Sequence, residues 1–397
     1  MTAIVLTRHR SNWWGTRRVP HFPLRPSVRL PLSVLIISQP SDVHAHAVIH
    51  ALSLQGVDAA LFSESDFPQK VMGTYDSRDD AFLLGGALDS SGVRTVWNRR
   101  RMPPVLHPSL HAADRRLAAS IGSGFLRSWF DCFDEAVWVN APEAAERGER
   151  KAVQLSAALK AGLLVPPTLI SNDQARIRRF LEENAPAIVK PITIMSWDTG
   201  EVWIGMTTTR VTPDDIWDSV AVEACPMIYQ REVAKDCEYR VIVCGEEMVC
   251  VEIDSQGTEG AELDWRDVKH RALRTRHVEV PAEIVEPIRR FMDALGLVHG
   301  SFDFIRGRDG RCYFLEINQQ GQFLWLEECV PDLGLLSLMT EFLAEGGQRS
   351  FRSAGRAPAL RYNDYVDSGR ALQDIDAAVD RHVADLAPRI IKEVDYV

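Results

Sequence analysis

The chain has 397 residues, of which 46% are hydrophobic, so it can bury a large core and is long enough for two or three subdomains. Its formal net charge of −10 disfavours nucleic-acid binding, which relies on a basic surface. The longest apolar run, residues 32–38, is too short to span a membrane, so no membrane partner is expected. Seven cysteines without paired spacing argue against a disulfide framework and favour a cytoplasmic protein.

Residues 1–30 form a basic extension with six arginines and no acidic residue. They lack the apolar run of a secretory signal. A transit peptide, a binding arm and sequence read from an early start codon are the alternatives. We expect this extension to be disordered and without function.

Residues 31–145 show a strand–helix–strand pattern, with strands at 32–37 and 59–62 and a helix at 42–55, which predicts a small open-sheet domain. Of the three histidines in this helix, only His46 and His50 share a face. Without Glu or Cys neighbours, they favour a helix surface over a metal site.

Three arginines, Arg99, Arg100 and Arg101, follow a predicted strand in the same domain. Strand ends are where open α/β sheets bind ligands, so a carboxylate site and a solvated cluster are equally supported. A polar break at 120–124 interrupts the long helical pattern of 107–133 and suggests a Gly-Ser-Gly turn. It lacks the Lys-Ser/Thr of a phosphate-binding P-loop.

Residues 146–233 alternate helices and strands and predict a middle lobe. Lys151 opens a helix, and Lys190 ends the apolar strand 187–190. A lysine in either place could bind an anion, or it could simply extend to water. The segment 191–200 is a candidate for a loop that covers phosphates, although it is poor in glycine.

Residues 234–345 predict a second lobe with a hairpin at 301–318. Strand alternation places Glu316 and Asn318 on one face. With the turn centred on residues 308–309, Asp303 lies opposite position 314 and joins that face. Two carboxylates and a carboxamide are hard oxygen ligands suited to Mg²⁺. In the same lobe, Glu238 and Arg240 share a strand face.

The order of these residues (lysine, lysine, hinge, Glu-x-Arg, Asp, Glu-x-Asn) resembles the ATP-grasp superfamily. Within it, the sequence is most similar to the maturases of ribosomal peptides, the microviridin or graspetide ligases. The more specific matches are Asp264-Trp265-Arg266 and the Gly321-Gln322 that follows Glu-x-Asn. Further similar segments are 96–100, 138–142, 151–155, 162–172 and 316–323. The resemblance implies an α/β protein whose two α+β lobes form an ATP-grasp fold after an N-terminal open-sheet pre-ATP-grasp domain.

The resemblance also implies residue roles. Adenine would bind the backbone of Arg231 and Val233, and Glu238 would accept from the ribose hydroxyls. Lys151 and Lys190 would neutralise phosphate oxygens of ATP. The remaining implied roles are Mg²⁺ ligation by Asp303, Glu316 and Asn318, and stabilisation of the transferred phosphoryl group and the acyl phosphate by Arg240 and Arg266.

The activity implied is ATP-dependent activation of a Glu or Asp side chain in a precursor peptide, which carries a leader segment, to give lactones or lactams. The charged stretch 257–280 would either help to bind the leader or form a solvated connection. A ligase for small-molecule carboxylates and a non-catalytic nucleotide-binding module are the alternatives. A neighbouring gene for a short precursor rich in Thr and Glu would favour the maturase, and ADP release would exclude the module.

The tail, residues 346–397, extends beyond the usual end of such maturases. Packing over the site, formation of a homodimer, and a branch of the family with another substrate are its three candidate roles.

Overall fold

The computed structural model describes residues 33–78, 81–84, 92–133, 135–193, 196–198, 203–205, 207–355 and 360–383. The predicted disordered extension, residues 1–30, lies outside these ranges. No helix in the described ranges is long and apolar enough to cross a membrane.

The first part of the chain forms the predicted open sheet. Its strands are β1 (Val34–Ile37), β2 (Ala59–Phe62), β3 (Gly73–Asp76), β4 (Ala81–Leu84), β5 (Thr95–Asn98) and β6 (Val137–Val139). Its helices are α1 (Val43–Leu54), α2 (Ala112–Phe130) and α3 (Pro142–Glu149). Four strands pair in parallel in the order β2-β1-β5-β6, while β3 and β4 form a separate hairpin. The parallel pairing confirms the predicted strand–helix–strand unit.

Helix α1 begins at the predicted place because Asp42 caps it, accepting a hydrogen bond from the His44 backbone N–H at 3.2 Å. The prediction that His46 and His50 lie on a helix surface is wrong for His46, which is buried, as is His44. Later helices pack against α1 and cover it. Among the described residues, no group of three His, Cys, Asp or Glu side chains could hold a metal.

The predicted break in the second helix is also wrong, because α2 continues through residues 120–124. Gly122 is buried there, and a Cβ at this position would lie 3.3 Å from the Phe67 ring. Gly122 therefore permits close packing of α2 against Phe67 and is not part of a phosphate-binding turn.

The middle of the chain forms an antiparallel sheet of order β11-β8-β12-β7 and a separate hairpin, β9–β10. The strands are β7 (Thr168–Ser171), β8 (Ala187–Lys190), β9 (Ser196–Asp198), β10 (Trp203–Gly205), β11 (Thr209–Val211) and β12 (Met227–Arg231). The helices are α4 (Lys151–Ala161), α5 (Gln174–Glu183) and α6 (Ser219–Ala224). Part of the predicted phosphate-covering loop, residues 191–200, lies outside the described residues. Within the loop, residues 196–198 form strand β9.

The third region is a five-stranded antiparallel sheet of order β15-β14-β13-β16-β17. Its strands are β13 (Lys235–Cys244), β14 (Glu247–Asp254), β15 (Arg274–Val278), β16 (His299–Gly307) and β17 (Cys312–Asn318). The helices are α7 (Ala282–Leu295), α8 (Trp325–Cys329) and α9 (Leu335–Ala344). Helices α4 and α7 pack together, and Phe291 of α7 contacts Phe302 and Phe314 in the core beneath the sheet.

The register of the predicted hairpin differs from the expectation. Asp303 lies opposite Glu316 and not opposite Phe314, because the register shifts between Asp303 and Phe304. Leu315 is the extra residue of this β-bulge. As a result, Phe314 enters the core while Glu316 and Asp303 still share the opposite face.

The tail forms α10 (Tyr362–Asp367) and α11 (Arg370–Arg381). Tyr362 and Tyr365 are buried in the same core cluster as α1. Glu327 of α8 accepts hydrogen bonds from the backbone N–H groups of Tyr362 at 2.9 Å and Leu336 at 2.6 Å. The described tail therefore packs on the first domain.

Candidate functional site

A cavity of about 530 Å³ lies between the middle sheet and the five-stranded sheet. Eight of the ten predicted site residues line it, and none of the residues that line it belongs to the described part of the tail. The eight are Lys151, Lys190, Arg231, Val233, Glu238, Arg266, Asp303 and Glu316. The other two, Arg240 and Asn318, bind Asp303 directly. The structure thus brings together residues that are up to 167 positions apart, from Lys151 to Asn318.

The three predicted metal ligands are in mutual contact. The Asn318 side-chain amide donates to Asp303 Oδ2 at 3.0 Å and to Glu316 Oε1 at 3.1 Å. Rotating this amide by 180° directs its oxygen to the same point as the two carboxylates. Three oxygen donors leave room for water and phosphate oxygens, as Mg²⁺ requires. The residues present therefore fit Mg²⁺.

The surroundings of Glu316 and Asp303 shift the pKa values of the two carboxylates in opposite directions. Burial opposes ionisation of Glu316, but Lys151 at 2.6 Å, Arg266 at 3.3 Å and nearby Lys190 outweigh it and hold its pKa well below the usual range. Burial raises the pKa of Asp303, although Arg240 opposes that shift. Two carboxylates in one small site repel each other, and a divalent cation would relieve that repulsion.

The two predicted catalytic arginines both bind acidic residues at this site. Arg240 binds both carboxylate oxygens of Asp303, at 2.8 and 3.1 Å, and donates to the Gln322 carbonyl at 2.9 Å. Arg266 binds Asp264 through two nitrogens, at 2.9 and 3.0 Å, and also reaches Glu316. Asp264 thereby fixes Arg266 at the edge of the cavity, which places a planar guanidinium beside the carboxylates.

Gln154 was not among the predicted site residues, but it positions β17, the strand that carries Glu316 and Asn318. Its buried side-chain amide accepts from the Ile317 backbone N–H and donates to the Ile317 carbonyl, both at 3.0 Å. Ile317 lies between Glu316 and Asn318. Lys151 and Gln154, one turn apart on α4, therefore hold adjacent positions of β17. Lys151 and Gln154 are three residues apart, a spacing that puts two side chains on the same face of a helix, and this was the sequence signal that could have identified Gln154.

The segment that connects β12 to β13, residues 231–235, lines the cavity between the two sheets. The Arg231 N–H already donates to the Pro167 carbonyl at 2.9 Å, so this N–H is not available to a ligand. Glu238, the predicted ribose ligand, binds Lys235 at 2.7 Å, and both are buried. Alternation alone puts Lys235 and Glu238 on opposite faces, but a bulge between Lys235 and Cys237 changes this. Sequence reasoning therefore missed Lys235.

Lys190 has an environment that suits an anion. Its only hydrogen bond among the described residues is to the Gln230 side-chain oxygen, at 3.3 Å. Burial lowers its pKa, and Glu316 offsets this only in part. An ammonium group in such a cleft gains most from a bound negative charge.

We expect K190A to weaken ATP binding by roughly tenfold to a hundredfold, the usual range for a hydrogen bond to a charged group. Isothermal titration calorimetry with ATP and Mg²⁺ measures the change. K160A, which removes an exposed lysine of the same lobe, is the matched control and should bind ATP as the wild type does. Unchanged affinity in K190A would mean that Lys190 has only a structural role.

Comparisons with known proteins agree with this geometry. No protein-family model matches the sequence, and no curated protein matches it. Among solved structures, the macrocyclase MdnC of Microcystis aeruginosa, bound with precursor peptide MdnA, is 25% identical, with a TM-score of 0.70 over 79% of this chain and 99% of that one. A RiPP-associated ATP-grasp ligase of Chryseobacterium gregarium is 24% identical, with a TM-score of 0.72 over 81% and 98%. The ATP-grasp ligase PsnB is 22% identical, with a TM-score of 0.60 over 79% and 100%.

Fold and site together define an ATP-grasp ligase, which confirms the fold predicted from the sequence. Within that class, the solved structures that the chain resembles are RiPP-associated ligases and macrocyclases, the group of peptide maturases that its sequence was predicted to resemble.

Proposed function

We propose that this protein is an ATP-dependent ligase that activates Glu or Asp side chains of a ribosomal precursor peptide and joins them to hydroxyl or amino groups of the same peptide. The observation that carries this proposal is one cavity lined by Lys151, Lys190, Arg266, Asp303 and Glu316. Arg240 and Asn318 bind Asp303 directly beside it. No triad or activated cysteine is needed, because positioning and charge neutralisation suffice for this chemistry.

The proposed reaction has two steps. A peptide carboxylate oxygen forms a bond to the γ-phosphorus of ATP, the bond between that phosphorus and the β,γ-bridging oxygen breaks, and ADP leaves. The acceptor oxygen or nitrogen then attacks the acyl carbon, loses its proton, and phosphate departs with the bonding electron pair. The peptide has lost one water overall.

The chain's own residues have distinct tasks in this scheme. Lys151 and Lys190 bind the phosphates of ATP, while the carbonyl of Arg231 and the backbone of Val233 bind adenine. Glu238 orients the ribose. Arg240 and Arg266 stabilise charge on the transferred phosphoryl group. Mg²⁺, held by Asp303, Glu316 and Asn318, would neutralise phosphate charge.

The solved relatives support a peptide substrate. The Chryseobacterium ligase was determined with ADP and a leader and core peptide, MdnC with its precursor, and PsnB with a phosphomimetic variant of its minimal precursor, Mg and ADP. For the present chain we propose the same kind of partner, ATP and Mg²⁺ as cofactors, and a cytoplasmic reaction. A homodimer and a role of residues 257–280 in leader binding stay predictions.

Co-expression with the short reading frames that neighbour the gene tests the proposal. We expect a precursor lighter by one water for each bond formed, and only when its leader is present, because binding of a remote segment positions many different core side chains in one site. Mass spectrometry measures the loss.

Co-expression with Glu316→Gln controls for dehydration by host enzymes. A ligase for small molecules would instead give a product heavier than either substrate. A precursor that keeps its full mass although its leader is present would refute the maturase proposal.

A further inference from the structure

The three arginines that follow β5 have three different environments. Arg99 is buried and binds Asp42 at 2.5 and 3.2 Å. Arg101 binds both oxygens of Glu64, at 2.9 and 2.8 Å. Arg100, between them, is half-buried and has no hydrogen bond or ion pair to any residue that the structure describes. Two arginines thus have structural partners, and the third is available to a ligand.

Arg100 lies at the edge of the first sheet where ligand sites form. The chain goes from β1 outward to β2 and then to β5 on the other side of β1, so the order of the sheet reverses between β1 and β5. Ligands of open parallel sheets bind in the crevice beyond the carboxyl ends of the two strands at such a point. Arg100 is two residues beyond the end of β5.

This edge is linked to the metal site through one loop. Arg99 Nη1 donates to the Gly321 carbonyl at 3.4 Å, and Arg240 donates to the next carbonyl, that of Gln322, at 2.9 Å. A Cβ on Gly321 would lie 2.8 Å from Asn318 Cβ. The arginine cluster and the set Asp303, Glu316 and Asn318 therefore contact the same short segment.

Two acidic residues at this edge are already paired, Asp42 with Arg99 and Glu64 with Arg101. Asp42 is matched by Arg99, and its pKa is well below the usual range because arginine charges outweigh the effect of burial. Burial and the positive charges of Arg99, Arg100 and Arg240 lower the pKa of the buried His44, although Asp42 opposes that shift. The His44 Nδ1 atom has no hydrogen-bond partner among the described residues. Arg100, by contrast, forms no ion pair with an acidic residue in the part of the chain that the structure describes.

We propose that Arg100 binds the carboxylate of the acyl-donor side chain and directs it toward the nucleotide. This inference rests on the proposed function and adds the residue that selects an acidic donor. Arg100 holds one carboxylate oxygen, and the other forms the bond to the γ-phosphorus while ADP departs with the electron pair of the broken bond. Arg99 and Arg101 act as positioning residues, since their ion pairs fix the backbone on both sides of Arg100.

Arginine labelling tests the site without relying on turnover. In full-length protein with ADP and Mg²⁺, phenylglyoxal should modify Arg100 faster than its paired neighbours, as read by peptide mass mapping. N-acetylglutamic acid α-amide should slow this modification, and the neutral N-acetylglutamine α-amide should not. Arg116, exposed on α2, is the internal control and should react equally in all samples. Equal labelling of Arg100 with both probes would overturn the proposal.

A second measurement follows the reaction itself. With ATP, Mg²⁺, hydroxylamine and the leader peptide of the precursor that co-expression identifies, the acyl phosphate of N-acetylglutamic acid α-amide is trapped as a hydroxamate. We expect R100Q to lower kcat/KM for the probe by roughly tenfold to a hundredfold, mainly through KM, with partial rescue in R100K and no change in R116Q. ADP affinity should be the same in all four proteins.

The outcomes separate the two proposals. Hydroxamate formation that R100Q does not impair would overturn the role of Arg100 and leave the ligase standing. Protection of Arg100 without any hydroxamate would support the carboxylate site and count against the ligase function. No protection and no hydroxamate would contradict both.

Discussion

Glu316→Gln is expected to reduce ADP release by at least about a hundredfold, because it removes one anionic metal ligand where the metal carries the phosphate charge. Glutamine keeps the size of the side chain, so the fold should be retained. Single-turnover ADP release measures the loss, and circular dichroism checks the fold.

Glu252→Gln is the matched control, since Glu252 lies in the same sheet but pairs with the exposed Arg276 at 2.7 Å. It should release ADP at the wild-type rate. Wild-type rates in the Glu316 variant would refute the metal assignment, whatever the control shows.

Asp42→Asn should destabilise the protein by about 3 kcal/mol or more, because it leaves the guanidinium of Arg99 buried without its counter-ion. Both side chains are 1% exposed. Asparagine still caps α1, so the loss of charge is isolated from the loss of a helix cap. Chemical denaturation monitored by fluorescence measures the change in the free energy of unfolding.

The comparison for this variant is Asp76→Asn, which breaks an ion pair with Arg78, whose side chain is 85% exposed. Exposed pairs contribute little, so no measurable change is expected. Equal stability of the two variants would show that the Arg99–Asp42 pair is not a buried structural link.

Short-range patterns in the sequence were sufficient to predict many of the strands and eight of the residues that line the cavity. Alternation predicted that Glu316 and Asn318 share a face, and the family pattern identified Lys151 and Lys190. Both inferences depend on local periodicity or on motif order, which are properties of short segments. The parallel sheet around β1 was predictable for the same reason.

Features that depend on distant contacts were not predictable. His44 is buried against Phe323 and Tyr362, and α1 packs against α9 and α11, all of which come far later in the chain. The bulges at Leu315 and before Cys237 shift strand faces without a clear sequence signal. Because of these bulges, the Phe314 side chain lies in the core and the Lys235 side chain forms an ion pair with Glu238.

The attachment of α4 has a mechanical consequence. Through Gln154 and through its packing on α7, this helix is fixed to the five-stranded sheet, although it precedes the middle sheet in the chain. Lys151 is therefore attached to the same sheet as the predicted metal ligands, whereas Lys190 lies on the middle sheet. A nucleotide bound to both lysines would connect the two sheets. When it leaves, we expect the middle sheet to swing open while the spacing of Lys151, Glu316 and Asn318 stays constant.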